Sequence, residues 1–268
     1  MQLYYQSFLE YHDANSSVPV IIIPGLFGQS TNWKGFAKKL SVRHPVFVID
    51  QRNHGRSPHA SSNSYADMAD DLSHFIEQLE FTKVHLCGHS MGGKVAMIFA
   101  HLNPSIIDKL VILDIAPVHY QHSHASFVEA MINIDLQQLK SRSEADRLLQ
   151  NAIPETGVRL FLLQSLIGKP GEYSWRLNLP VLHEYMSEIT GFPNKLLDGQ
   201  TYGGQTLLLS GANSDYVNSE SVKTMLKYFP SCRHTTINDA GHWLHAEQPD
   251  LVISKIIDFL EKNKFSDQ

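Results

Sequence analysis

A serine flanked by glycines, Gly88-His89-Ser90-Met91-Gly92-Gly93, sits where the apolar run Val84-His85-Leu86-Cys87 gives way to a helical pattern beginning near Gly92. A hydroxyl raised on a sharp strand-to-helix turn can act as a nucleophile, provided that a base takes its proton. Gly88 and Gly92 supply the room that such a turn needs two residues to either side of the serine. The base expected from the same reasoning is His242, in Asp239-Ala240-Gly241-His242-Trp243, directly after the last apolar run of strand type. Of the fifteen histidines it is the one whose loop can lower an imidazole onto Ser90. The chemistry implied is acyl transfer through a covalent acyl-serine. The N–H of Met91, at the start of the helix, would face the developing oxyanion. Pro24-Gly25-Leu26-Phe27-Gly28 follows an earlier apolar run, and its glycines would let a second N–H, that of Leu26, approach the same oxygen.

A serine–histidine pair needs a carboxylate to hold the imidazole tautomer and to stabilise the imidazolium. Two aspartates follow strand-like runs between Ser90 and His242. Asp114 ends Leu110-Val111-Ile112-Leu113, and Asp215 follows Thr206-Leu207-Leu208-Leu209 after the turn Gly211-Ala212-Asn213-Ser214. Either strand end can deliver a carboxylate to the same imidazole nitrogen, with Ser214 a hydrogen-bonding neighbour of the acid or the histidine. Asp239 is too near His242 in sequence to reach round its ring and is expected to stabilise the loop.

The elements that must position these residues follow a clear rhythm. Four short runs, Val20 to Ile23, Val46 to Ile49, Val84 to Cys87 and Leu110 to Leu113, are almost continuously apolar, as strands buried on both faces of a parallel sheet must be. Helical patterns lie between them, from Trp33 to Leu40, Tyr65 to Leu79 and Gly92 to His101. Alternating strands and helices predict a doubly wound, mostly parallel α/β sheet. The rhythm breaks over 119–193, where helices from Ala125 to Leu139, Ser143 to Ala152, Thr156 to Leu166 and Leu179 to Ile189 are expected and no strand. It resumes at Thr206, with a helix from Ser219 to Tyr228, a strand from His234 to Ile237 and a last helix from Pro249 to Glu261. The expected organisation is one core, 1–118 with 194–268, interrupted by a helical cap at 119–193.

Composition narrows the class. The chain has 268 residues, 43% hydrophobic and 18% charged, with 22 basic against 27 acidic side chains and a net charge of −5. That balance gives no electrostatic reason to expect a nucleic-acid or anionic-membrane partner. No apolar run reaches the ~18 residues of a membrane span, and the N-terminal residues lack the pattern of a signal peptide. Cys87 and Cys232 have no zinc-type spacing and form no disulfide framework, so reduced thiols and a cytoplasmic location are expected. His119, His122 and His124 lack an accompanying carboxylate pattern, and neither a metal nor an organic cofactor is expected. Cys87 belongs to the buried strand, and His89 is expected beneath the nucleophile turn. Asn53 and His54 are expected either to line the mouth of the site or to knit their loop to its neighbours, the latter being favoured. Tyr120, Phe127, Met131, Phe161, Leu162 and Trp175 are candidates for a pocket wall.

The set Asp50-x-Arg52-Asn53-His54-Gly55-x-Ser57, Gly88-His89-Ser90-Met91-Gly92-Gly93, Asp114-Ile115-Ala116-Pro117 and Gly211-x-Asn213-Ser214-x-Tyr216-Val217 resembles the YbfF/ABHD11-type esterases of the α/β-hydrolase superfamily. The resemblance runs from Gly25 to the helix after His242. It implies a serine hydrolase acting on small acyl esters or thioesters, acyl-CoA thioesters among them, without a cofactor. Most of the superfamily carries its acid as the fourth residue of a Gly-x-x-Asp turn, where this chain has Ser214. The resemblance to the narrower group implies Asp114 as the acid, with Asp215 the alternative. Carbon–carbon bond hydrolysis or perhydrolysis on the same triad, and a silent ligand-binding scaffold, are the competing readings. Dehalogenase and epoxide-hydrolase relatives place an aspartate where Ser90 stands.

Overall fold

The computed structural model describes residues 1–10, 18–121, 124–197 and 199–261. Seven strands form one sheet: β1 (Tyr5–Phe8), β2 (Val20–Ile23), β3 (Val46–Ile49), β4 (Val84–His89), β5 (Ile107–Leu113), β8 (Thr206–Gly211) and β9 (Cys232–Ile237). Their order is β1-β3-β2-β4-β5-β8-β9, with β1 antiparallel to β3 and every other neighbour parallel. The mostly parallel sheet agrees with the alternating pattern of the sequence. β1 goes beyond it, because the half-exposed YQSF of an edge strand carries no apolar run.

Side-chain alternation along the strands builds two cores. Ile21, Ile23 and Leu86 face one layer, with Leu72 and Phe75 of α2 (Tyr65–Gln78) and Val95 and Phe99 of α3 (Met91–Leu102). Val20, Ile22 and Cys87 face the other, with Phe36 and Leu40 of α1 (Lys34–Leu40) and Val252 and Ile256 of α11 (Pro249–Glu261). Burial on both faces is why these strands read as unbroken apolar runs.

Between β5 and β8 lie α4 (Ala125–Ile132), α5 (Arg142–Leu149), α6 (Thr156–Leu163), a hairpin of β6 (Leu166–Ile167) and β7 (Ser174–Trp175), α7 (Leu179–Glu184) and α8 (Met186–Thr190). Two expectations need correction here. A short hairpin, Leu166 opposite Trp175 and Ile167 opposite Ser174, interrupts a segment expected to hold only helices. The helix expected to run to Leu139 stops at Ile132, because Asp135 accepts the N–H groups of Gln137 and Gln138 and so offers the backbone a turn instead. After the two-residue β6 and β7, α9 (Ser219–Tyr228) and α10 (Leu244–Glu247) complete the elements. Among the described residues no helix is long and apolar enough to cross a membrane.

The segment between β5 and β8 is tied to the loop after β3 by amides. Asn178 donates its backbone N–H to Asn53 O at 3.0 Å and its side-chain amide to Asn53 Oδ1 and Ala60 O, both at 3.0 Å. Asn53 adopts a left-handed conformation (φ 64°), which suits a small polar residue in a tight turn. The expected knitting role of Asn53 and His54 holds: His54 is fully buried and donates Nδ1–H to Arg52 O at 2.9 Å.

Several imidazoles are buried, that of His85 with Asp108 Oδ2 3.4 Å from its Nδ1. Burial pushes the pKa of His54 down to about 4, those of His85 and His245 down to about 3, and that of His89 well below the ordinary value. In the unfolded chain these rings titrate near ~6.5. Below that pH the unfolded state binds protons that the native state does not, so stability is fully present at higher pH and declines as the pH falls from about 6.5 toward 4. Each ring contributes a slope on the order of 1 kcal/mol per pH unit in that window. Urea unfolding at pH 7.5, 6 and 5 should show a steadily falling midpoint; an equal or higher midpoint at pH 5 would contradict the assignment of these rings as neutral.

Candidate active site

Ser90 is the single residue between β4 and α3, with φ 52° and ψ −124°. A non-glycine residue there is strained and must be held by its surroundings. They do so closely: a Cβ on Gly92 would come within 2.2 Å of Ile23 O, and one on Gly88 within 2.4 Å of Gly92 O. Ser90 N–H donates to Leu113 O at 3.1 Å, which fixes the turn to the end of β5. Gly93 and Lys94 donate to Ser90 O, whereas the N–H of Met91 belongs to the first helical turn, which has no intrahelical acceptor.

The loop carrying Leu26 lies against this turn. A Cβ on Gly25 would approach Ser90 Cβ to 2.9 Å, and Gly28 N–H closes the loop on Gly25 O at 3.0 Å. Gln51 holds Pro24 O at 2.7 Å from below. Asp50 is a buried buttress rather than a cavity residue, accepting the N–H groups of Ser30 at 2.5 Å and Arg56 at 2.7 Å.

Asp114 is fully buried at the end of β5, also with positive φ (50°). Its Oδ2 lies 2.8 Å from His242 Nδ1, and its Oδ1 accepts Gly211 N–H at 2.9 Å. Ser214 Oγ donates to the same Oδ2. A carboxylate only accepts, so His242 carries its proton on Nδ1 and leaves Nε2 free to accept. Asp215 is exposed and is not brought to the imidazole. The turn after β8, closed by Ser214 N–H on Gly211 O, aims Ser214 at Asp114 and leaves the next residue facing outward.

The imidazole is held on every side. His89 donates Nε2–H to His242 O at 2.8 Å, and Tyr216 stacks on the ring at 3.7 Å and 13°. Tyr120 OH accepts Ala116 N–H and donates to Tyr216 O, both at 2.9 Å. Trp33 stacks on His245 at 3.8 Å beside this group. Asp239, at φ 54°, turns the chain leading into the loop.

Ser90, His242, Leu26 and Met91 line one cavity of about 220 Å³. Its wall is mostly apolar, and Tyr120, Phe127, Phe161 and Leu162 take part in it as expected. Met131 and Trp175 do not; Met131 is fully buried in the interior, and Trp175 sits in the hairpin. Trp33, Asn32, Lys94, Thr190 and His245 line the cavity without having been anticipated. Their signal in the sequence is weak, because a tryptophan or lysine inside an amphipathic helix does not reveal which end of its side chain meets a cavity. Among the described lining residues Lys94 is the one lysine, arginine or carboxylate, and burial pushes its amine down to about 7. Cys87 is buried in the core and burial pushes its thiol up to about 12, so it is inert.

His119 is exposed, His124 Nε2 lies 3.2 Å from Tyr216 OH, and His122 lies outside the described residues. Among the described residues no group of three His, Cys, Asp or Glu is placed to hold a metal ion.

The comparisons with known proteins bear on the fold and the kind of activity. The family model described as alpha/beta hydrolase fold matches residues 18–249. The sn-1-specific diacylglycerol lipase ABHD11 of Danio rerio is 39% identical over 254 residues, covering 91% of this chain and 79% of the relative. Esterase YbfF of Escherichia coli is 36% identical over 247 residues, covering 92% of this chain and 94% of its own. A solved structure described as a marine microorganism esterase superposes with a TM-score of 0.90 at 35% identity, covering 97% of this chain and 99% of that one. The chain therefore belongs to the alpha/beta hydrolase fold family and is a hydrolase of the esterase and lipase kind.

Proposed function

We propose that the protein is a serine carboxylesterase that cleaves neutral acyl esters through an acyl-Ser90 intermediate, with His242 as base and Asp114 as acid. The observation that carries this reading is the 2.8 Å contact between His242 Nδ1 and the buried Asp114 carboxylate, at a cavity that Ser90 also lines. Charge supports the substrate class. Among the described residues the cavity lining contains no arginine or carboxylate, and the Lys94 ammonium is engaged by backbone carbonyls, so nothing in that lining favours an anionic acyl group.

In the first half-reaction His242 Nε2 takes the Ser90 proton as Oγ attacks the acyl carbonyl carbon. The N–H groups of Met91 and Leu26 receive the developing oxyanion, each worth on the order of 10²- to 10³-fold in rate. The tetrahedral species collapses as Nε2 returns the proton to the departing alcohol. Water then attacks acyl-Ser90, giving its proton to Nε2, and the tetrahedral species collapses as Nε2 passes that proton to Ser90 Oγ, releasing the carboxylic acid and regenerating free Ser90 and neutral His242. Asp114 keeps Nδ1 protonated and stabilises the imidazolium in both halves. The same steps serve a thioester, whose acyl part would meet the same wall.

Ser90→Ala should lower turnover of p-nitrophenyl butyrate at least ~10³-fold and abolish fluorophosphonate labelling. Retained labelling or turnover would remove Ser90 from the mechanism and place the nucleophile elsewhere. Asp114→Asn should cost about 10⁴-fold in kcat by allowing the wrong imidazole tautomer. Asp215→Asn, at an exposed side chain, should stay within about twofold. A larger loss in the Asp215 variant would reverse the assignment of the acid.

A further inference from the structure

Lys94 lies on α3 one helical turn beyond Ser90, with its side chain almost wholly buried (1% exposed). A buried ammonium is costly unless its protons are satisfied. Its Nζ donates to Ile189 O at 3.5 Å, Thr190 O at 2.9 Å and Gly191 O at 2.5 Å, three successive carbonyls at the end of α8. The carbonyls of a helix C-terminus carry partial negative charge and have no acceptors' partners within the helix, so a cation with three donors complements them. The rings of Tyr120 and Tyr65 flank the ammonium at 4.8 and 6.0 Å. Tyr65 OH adds a bond to Ile189 O at 2.7 Å, and Tyr120 N–H one to Thr190 O at 3.0 Å.

One side chain thus spans from the nucleophile helix to the cap. Ile189 and Thr190 line the cavity that Ser90 lines. We propose that Lys94 is a positioning residue that determines acyl specificity: by capping the end of α8 it fixes the Ile189–Thr190 wall relative to Ser90. The inference rests on the acyl-ester reading of the cavity. Without the Lys94 donors, the three carbonyls at the end of α8 each lose one hydrogen bond, the end of α8 shifts to recover them, and the wall against a longer acyl chain loosens. An acetyl group, held next to Ser90, needs that wall least.

The test is Lys94→Met, which keeps the apolar stem and removes the donors. Against p-nitrophenyl octanoate, kcat/KM should fall roughly tenfold with the loss in KM, while kcat/KM for the acetate ester stays within about threefold. Hydrogen exchange of amides 186–191 should quicken at least about tenfold in the same variant, a readout that requires no turnover. Tyr65→Phe removes a second bond to the same helix end and should move both readouts in the same direction by about threefold, which decides the matter if Lys94→Met does not fold. Equal losses for both esters through kcat, or unchanged exchange at 186–191, would overturn the inference. Wild-type protein that hydrolyses no acyl ester would instead overturn the acyl reading, and the specificity with it.

Discussion

The buried carboxylate of Asp114 is the constraint on which the site depends. A charge with no exposed surface survives in an apolar interior only if its lone pairs are filled. Here the donors come from three separate pieces of chain: Gly211 N–H at the end of β8, Ser214 Oγ in the following turn, and His242 Nδ1 from the loop after β9. The carboxylate is stable only when β5, β8 and the histidine loop have all docked. Orientation of the imidazole is therefore coupled to completion of the fold, and each donor that satisfies the charge also limits where the ring can go.

The same edge of the sheet repeats one geometry at two adjacent strands. Ser90 follows β4 and donates its N–H to Leu113 O; Asp114 follows β5 and donates its N–H to Leu209 O at 2.8 Å. Both have φ near +50°, a conformation that L-residues avoid unless their surroundings impose it. In each case the chain leaves a strand through a left-handed residue whose amide remains bonded to the next strand. The parallel register, His89 opposite Leu113 and Leu113 opposite Leu209, places these two residues side by side. The proposed nucleophile and acid are thus positioned by one backbone device used twice.

Much of this is legible in the amino-acid sequence. Continuous apolar runs identify strands buried on two faces, and Gly88 and Gly92 identify a turn too tight for side chains, so β2 to β5 and Ser90 follow from local chemistry. His242 follows from position. The choice between Asp114 and Asp215 does not, because it depends on how the turn at 211–214 aims its residues across the gap to β5. The half-exposed β1 and the two-residue strands of the cap hairpin are stabilised by pairing rather than by their own composition, so pattern cannot find them. Lys94 was hidden for a further reason. At a buried helix position a lysine reads as an anomaly or a snorkelling surface residue, and only the facing end of α8 reveals what its charge satisfies.

The surroundings of His242 are built mainly from rings rather than charges, and this has a mechanistic consequence. Tyr216 stacks on one side, His89 lies 4.7 Å away centre to centre, and His245 packs between His89 and Trp33. Burial keeps His89 and His245 neutral, so neither adds a positive charge beside an imidazole that becomes cationic in the proposed mechanism. Charged neighbours in their place would oppose the imidazolium directly, at a strength that the low polarity of the interior would magnify. Flat neutral rings restrict the tilt of His242 by contact alone and leave Asp114 as the charge that answers its protonation. The cluster of histidines around the site is thus compatible with a single proton-transfer residue because burial silences the others.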